Sequence, residues 1–247
     1  MDKIEILKRL IKNAKRIVLM TGAGFSVASN IPDFRSANGL YNEKDGEIQP
    51  EEILSHHFFI SHPDLFYQFY FDKMLYPDAL PNPGHTFWAN LEQTGKDVTI
   101  ITQNIDGLHQ LAGSKKVIEL HGSVHRNHCM KCHTFYTMSD LEKYLDNSVP
   151  KCPKCGGIIK PDVVLYEEGL DSQAIDDALK AISCADLLII SGTSLLVNPA
   201  ASLPYYYRGP NIVIVNLSST PFDKYANLVI KEKSEVVFGS MNISEEK

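Results

Sequence analysis

The stretch Ile17-Val18-Leu19-Met20-Thr21-Gly22-Ala23-Gly24 decides the fold. Four consecutive apolar residues with no polar alternation suit a strand buried on both faces, as in a parallel sheet covered by helices. The two glycines that follow suit a tight turn in which backbone N–H groups approach a phosphate closely. Outward along the chain, comparable runs recur at Val98-Thr99-Ile100-Ile101, Val117-Ile118-Glu119-Leu120, Val163-Val164-Leu165-Tyr166, Leu187-Leu188-Ile189-Ile190 and Ile212-Val213-Ile214-Val215. Helical patterns fall between many of them. Ile4, Leu7, Ile11 and Ala14 share one face, as do Ala174, Ala178, Ala181 and Ile182 after the candidate caps Asp171 and Ser172. Strands alternating with helices predict an α/β fold with a doubly wound parallel sheet.

The ends of these runs carry the functional signal. Met20 leads into Thr21-Gly22, Ile101 into Thr102-Gln103-Asn104, Leu120 into His121-Gly122, Ile190 into Ser191-Gly192-Thr193-Ser194 and Val215 into Asn216. Any one of these changes marks only a strand leaving the core. Five together suggest one polar crevice at the carboxyl ends of the strands, where open α/β sheets bind ligands. Two stretches break the alternation: about 36–84, with aromatic helical patches such as Leu65-Phe66-Tyr67-Gln68-Phe69-Tyr70, and about 123–160, which holds four cysteines. Both read as insertions that build a smaller lobe. The polar tail from Ser240 is expected to fray.

Composition narrows the class. The chain has 247 residues, 44% hydrophobic and 22% charged, which suits a folded globule and excludes wholesale disorder. No apolar run approaches the roughly 18 residues of a membrane helix, so no membrane partner is expected. The net charge of −6 argues against direct nucleic-acid binding, although it is also ordinary solvation charge. The opening Met1-Asp2-Lys3-Ile4-Glu5 lacks the charged-then-apolar pattern of a secretion signal, and the cysteine count of 5 is odd. Both favour a cytoplasmic protein with a metal site over a disulfide framework.

Cys129-x2-Cys132 is followed after 19 residues by Cys152-x2-Cys155, the spacing of a zinc ribbon. Each Cys-x-x-Cys turn lets two thiolates reach one ion, and two turns complete a tetrahedron with no open position. One structural zinc is therefore expected on Cys129, Cys132, Cys152 and Cys155. His125, His128 and His133 lie nearby but are not needed. Cys184, near a helix end, reads as a small core residue.

Gly22-x-Gly24 lacks the third glycine of a dinucleotide fingerprint, position 27 being Val, so a plain strand-to-helix turn also fits. Pro32-Asp33-Phe34-Arg35 adds a carboxylate, an aromatic face and a guanidinium, or simply a surface ion pair. His121 directly follows an apolar run and could serve as a base near neutral pH, or be structural. Asp106 belongs to the same crevice and could equally cap a helix that starts near Gly107.

Taken together, these segments resemble the sirtuins, NAD-dependent protein-lysine deacylases. The matching stretches are Gly22-Ala23-Gly24-Phe25-Ser26, Ile31-Pro32-Asp33-Phe34-Arg35-Ser36, Gly39-Leu40-Tyr41, Thr102 to His109, Ala112-Gly113, Glu119-Leu120-His121-Gly122, the four cysteines, Gly192-Thr193-Ser194-Leu195 and Val215-Asn216. The resemblance implies a Rossmann-like NAD-binding domain of residues 1–35, 86–121 and 161–247, and a small helical and zinc-binding domain of residues 36–85 and 122–160. It implies NAD contacts from Gly22, Ala23, Gly24, Phe34, Arg35, Gln103, Asn104, Ile105, Asp106, His121, Gly192, Thr193, Ser194, Asn216, Leu217 and Val236. An acyl-lysine peptide would lie between Val164-Leu165-Tyr166 and Leu196-Val197. His121 and Asn104 would be the catalytic pair, His121 as general base. The family cleaves NAD at its nicotinamide–ribose bond and transfers the acyl group to ADP-ribose, giving free lysine and an acyl-ADP-ribose. Acetyl is the expected acyl group; other acyl-lysine removal or mono-ADP-ribosyl transfer are the alternatives. Three departures stand out: Glu167 replaces a usual Gly, Asn30 replaces another, and Ala28 stands where a polar residue is common. The oligomeric state is left open.

Overall fold

The computed structural model describes residues 2–34, 39, 48–144 and 148–241. In chain order its strands are β1 (Arg16–Thr21), β2 (Asp97–Thr102), β3 (Val117–Glu119), β4 (Gly122–Cys129), β5 (Phe135–Thr137), β6 (Ile159–Val163), β7 (Leu187–Ser191), β8 (Asn211–Val215) and β9 (Leu228–Ile230). Its α-helices are α1 (Lys3–Asn13), α2 (Pro50–Ile53), α3 (His56–Ser61), α4 (Pro63–Lys73), α5 (Pro83–Gln93), α6 (Leu108–Leu111), α7 (Ser172–Cys184) and α8 (Ser234–Gly239). Among the described residues no helix is long and apolar enough to cross a membrane.

β1 is buried at every position after its first, and its side chains divide between two cores. Ile17 and Leu19 pack with Leu7 and Ile11 of α1, Trp88 of α5 and Phe238 of α8. Val18 and Met20 pack on the other face with Ala178 and Ile182 of α7. A strand clothed on both faces needs no polar alternation, which is why these runs are continuously apolar. The result is a six-stranded, all-parallel sheet in the order β3-β2-β1-β7-β8-β9, the expected doubly wound arrangement. Asp2 and Asp171 cap α1 and α7, their carboxylates accepting from Ile4 N at 3.1 Å and Ala174 N at 2.8 Å.

The sheet order reverses between β1 and β7, so the loops leaving these strands diverge and open a crevice. They touch at one point through glycine. Gly24 N donates to Gly192 O at 2.9 Å, Gly192 has φ 64°, and a Cβ on it would stand 2.3 Å from Phe25 N. No larger residue fits that approach.

The smaller lobe has two parts. β4, β5 and β6 form an antiparallel sheet in the order β5-β4-β6. Helices α2 to α4 bury Phe58, Phe59, Phe66, Tyr67, Tyr70 and Phe71 against Val124, Val163 and Leu165. The run Val163-Val164-Leu165-Tyr166 accordingly does not join the parallel sheet. Val163 closes β6, and the chain continues extended, with Val164 N donating to His121 O and Tyr166 N to Leu54 O. Val163 and Leu165 are buried by the helical lobe, whereas Tyr166 is exposed. Cys184 also departs from expectation: it is exposed, at the end of α7 and turned away from the face that Ala178 and Ile182 bury.

Candidate active site and metal centre

A cleft of about 1090 Å³ lies between the carboxyl ends of the parallel strands and the smaller lobe. Gly22, Ala23, Gly24 and Phe34 line it after β1, and Gln103, Asn104, Ile105 and Asp106 after β2. His121 lines it after β3, Gly192, Thr193 and Ser194 after β7, and Asn216 and Leu217 after β8. The five polar strand ends therefore do share one crevice. Val164, Leu165, Tyr166 and Val197 line the same cleft. Leu196 and Val236 do not; they are 60% and 50% exposed and point elsewhere. Arg35 lies outside the described residues, as do Ser36, Leu40 and Tyr41.

Polar contacts hold this floor in place. His121 Nδ1 is 3.0 Å from the Gln103 carbonyl. A carbonyl only accepts, so Nδ1 carries the proton and Nε2 is the nitrogen with a free lone pair. Burial pushes the His121 pKa below its ordinary value of 6.5, and the Gln103 hydrogen bond opposes that only in part. Asn104 Nδ2 donates to Ser26 Oγ at 3.0 Å, and Ser26 Oγ donates to Asp106 Oδ2 at 2.7 Å. Asp106 Oδ1 accepts from Leu108 N at 2.9 Å, so this carboxylate also steadies the start of α6. Burial raises the Asp106 pKa, opposed by the Leu108 and Ser26 hydrogen bonds. Gln103 Nε2 donates to Thr193 Oγ1 and Asn216 Nδ2 to Thr193 O, both at 3.0 Å, tying β2, β7 and β8 together.

Ser26 was missed as a site residue, although its place at the end of Gly-Ala-Gly-x-Ser was a signal. The segment from Phe71 to Pro77 also lines the cleft, although apart from Lys73 the sequence did not single it out. Its mark in the sequence is the polar Asp72-Lys73 pair where the aromatic helix pattern stops. Glu167 has φ 74°, the left-handed conformation a glycine would adopt without cost. Its carboxylate accepts from His57 N at 3.0 Å and so ties the loop to α3. Asn30, with φ 64°, fills its glycine-like position as an Asn tolerates.

The four cysteines of the ribbon meet. The Sγ atoms of Cys129, Cys132, Cys152 and Cys155 all lie within 4.8 Å of one another. Cys129–Cys155 and Cys132–Cys152 are 3.4 and 3.6 Å apart. A tetrahedron with Zn–S of about 2.3 Å has S···S edges of about 3.8 Å, so the cluster fits a zinc ion with little adjustment. Lys131 N and Cys132 N point at Cys129 Sγ from 3.4 and 3.5 Å, and Tyr136 Oη lies 3.0 Å from Cys152 Sγ. Such donors suit thiolates. Histidines 125, 128 and 133 take no part in the cluster.

Comparison with known proteins bears on both lobes. Residues 22–199 match the model of the Sir2 family. An NAD-dependent protein deacetylase of Clostridium perfringens is 56% identical over 244 residues, covering 97% of this chain and 98% of that protein. A solved Sir2 variant with a deacetylated p53 peptide and 3'-O-acetyl ADP ribose superposes with TM-score 0.88 at 40% identity, covering 96% of each chain. A Sir2–p53 peptide–NAD+ complex gives TM-score 0.84 at 41% identity, again covering 96% of each chain. The conjunction of glycine loop, polar strand ends and four-thiolate ribbon in one matching chain leaves a single conclusion: this protein belongs to the Sir2 family.

Proposed function

We propose that the chain is an NAD-dependent protein-lysine deacetylase, which splits NAD into nicotinamide and ADP-ribose and passes the acetyl group of an acetyl-lysine to the ADP-ribose. The observation that carries this reading is His121. Its Nδ1 is pinned to the Gln103 carbonyl, burial keeps it neutral, and its Nε2 is left to accept a proton inside the cleft. NAD, when bound, supplies the electrophilic ribose carbon and the nicotinamide leaving group. Around the Gly22-Ala23-Gly24 and Gly192 turns, Ala23, Thr193 and Ser194 would offer backbone N–H groups to its phosphates, while the Gly24 and Gly192 N–H groups tie the turns to each other and to the sheet. Asn104, Ile105 and Asp106 surround the nicotinamide, with the Asp106 carboxylate accepting from the carboxamide. Phe34, with Arg35 beside it in sequence, covers the reacting carbon and keeps water away. Asn216 and Leu217 belong to the adenosine side of the reading. His121 Nε2 takes the proton of a ribose hydroxyl, and Asn104 orients the attacked face.

The peptide enters as an extended segment between Val164-Leu165-Tyr166 and Val197. Cys129, Cys132, Cys152 and Cys155 hold one zinc that cross-links the small lobe and, being fully ligated, does no chemistry in the cleft. The expected domain boundaries move by three residues where they cut α5 and β6: we take 1–35, 83–121 and 164–247 as the NAD-binding domain and 36–82 with 122–163 as the small one. The reading includes a cytoplasmic location, supported by cysteines gathered as thiolates instead of disulfides.

Mass spectrometry of an acetyl-lysine peptide incubated with and without NAD tests the reading. Expected are NAD-dependent loss of the acetyl mass, free nicotinamide and an acetylated ADP-ribose. An unchanged peptide overturns it. A peptide that gains an ADP-ribose mass would assign mono-ADP-ribosyl transfer instead.

A further inference from the structure

Beneath the cleft two histidines meet that the reaction does not use. His85 on α5 is 0% exposed, His109 on α6 is 1% exposed, and their ring centroids are 4.6 Å apart. The backbone N–H of Asn82 donates to His85 Nδ1 at 3.3 Å. Neutral His85 therefore carries its proton on Nε2, a buried atom with no partner among the described residues. His109 Nε2 lies 3.1 Å from Thr21 Oγ1, while its Nδ1 is likewise buried and unpartnered among those residues. With the His109 proton on Nε2, its Nδ1 is an acceptor. The two rings pack edge to face, and no hydrogen bond joins them.

The bonds continue upward from there. Thr21 Oγ1 donates to Thr102 Oγ1 at 2.9 Å, and Thr102 Oγ1 also accepts the backbone N–H of Asn104 at 3.0 Å. Thr21 and Thr102 are the last residues of β1 and β2, paired across the sheet. Gln103 and Asn104, the next two residues, carry the contacts to His121 and Ser26. Stability alone is a poor reason for this pair, because a well-packed apolar side chain would remove buried polar atoms that lack partners.

We infer that His109, packed against His85, is a positioning residue: the hydrogen-bond chain His109, Thr21, Thr102 sets where Asn104 leaves β2 and so aims its side chain into the cleft. The inference rests on the deacetylase reading for its effect on rate, but the placement of Asn104 can be read without the reaction.

The test compares wild type, His109→Leu, His109→Gln and Thr21→Val. The Gln amide nitrogen reproduces the donor that His109 Nε2 offers Thr21, whereas Leu and Val break the chain. Deacetylation kinetics should show kcat falling about 10- to 100-fold in His109→Leu and Thr21→Val, the scale of a misplacement of order 1 Å, with the urea midpoint unchanged or raised in His109→Leu and lowered in Thr21→Val, which leaves His109 Nε2–H without its acceptor. His109→Gln should recover most of kcat. Amide hydrogen exchange at residues 103–104 should quicken in the Leu and Val variants, stay protected in the Gln variant, and leave β8 unaffected. Should His109→Leu fail to fold, Thr21→Val carries the same test with almost no change of volume. Wild-type kcat in the broken-chain variants, or unchanged protection at 103–104, overturns the inference. A wild-type enzyme without deacetylase activity overturns the functional reading instead, and the exchange data then decide the positioning role by themselves.

Discussion

Because the Gln103 carbonyl takes the proton on His121 Nδ1, Nε2 is the nitrogen left to act as base. His121→Ala should therefore lower kcat/KM for deacetylation at least about 10²-fold, the lower end of general-base contributions. NAD affinity by titration calorimetry should change only a few-fold, since the glycine turns carry the phosphates. A variant with near-normal kcat/KM would move the base elsewhere. The pH dependence follows from burial: the base works only when neutral, and desolvation lowers its pKa. The acid limb of kcat/KM should thus have its midpoint below 6.5, the ordinary value, and a midpoint above 6.5 would contradict the buried geometry. Acyl preference is argued at the same scale. A succinyl group ends in a carboxylate whose unpaired burial costs several kcal/mol. Tyr67 donates to the Ile159 carbonyl and Tyr70 is packed in the helical core, so neither serves the cleft; Lys73 alone of the three lines it. Acetyl peptides should outcompete succinyl peptides in kcat/KM, and the reverse order, abolished by Lys73→Ala, would make Lys73 the specificity residue. His121 was legible in the sequence because a polar residue after an apolar run marks a strand end. The pairing of His85 with His109 was not, because it depends on how α5 and α6 pack beneath β1.

The zinc-bearing element is small enough that its stability has to come from the metal. Its own core comprises Cys129, Leu141, Cys152 and Ile159, with little apolar area besides the ligands themselves. Units of this size need a cross-link to hold a fold, and ligand loss commonly unfolds the region around a closed site. Cys155→Ala should reduce zinc from about one equivalent to near zero by metal analysis. Hydrogen exchange should quicken across β4 to β6 while β1, β7 and β8 keep their protection. Native protein that purifies without zinc would defeat this assignment. The cysteine spacing made the element legible before any coordinates, since two Cys-x-x-Cys turns constrain geometry strongly. The run Val163-Val164-Leu165-Tyr166 was misread as a sheet strand for a physical reason. Burial under aromatic helices selects the same apolar residues as burial in a parallel sheet, and only the partners differ. Cys184 misled in the opposite sense: its place near a buried strand said nothing about which side of α7 it occupies.

For the molecule as a whole, the reversal of strand order between β1 and β7 makes one cleft the meeting place of both lobes, so ligand binding should stabilise the entire fold. At NAD concentrations about 100 times Kd, the stabilisation is about 2.7 kcal/mol. In a chain of this length that corresponds to a rise in Tm of roughly 5–10 °C. A flat melting curve series with both NAD and ADP-ribose would count against the cofactor. Acid should act in the opposite direction, through the histidines sealed under the cleft. Burial lowers the His85 pKa from 6.5 to about 4, and burial together with the neighbouring His85 holds His109 well below 6.5. Above pH 6.5 both are neutral whether the chain is folded or not, and their contribution to stability is fully present. Below pH 6.5 the unfolded chain takes up protons that the folded chain refuses, so folding loses about 1.4 kcal/mol per pH unit for each histidine until its folded pKa is reached. In the window from pH 6.5 to 5 His121, whose pKa burial also lowers, adds to the loss, and Asp106, whose pKa burial raises, opposes it. Urea unfolding across that window should show stability falling, with His85 and His109 contributing up to about 3 kcal/mol per pH unit. His109→Gln, which removes one of these groups, should reduce the slope by its own share, up to about 1.4 kcal/mol per pH unit. Stability that stays level from pH 7.5 to 5 would mean that one or both rings are solvated in the folded protein, contrary to their burial against Phe25 and each other.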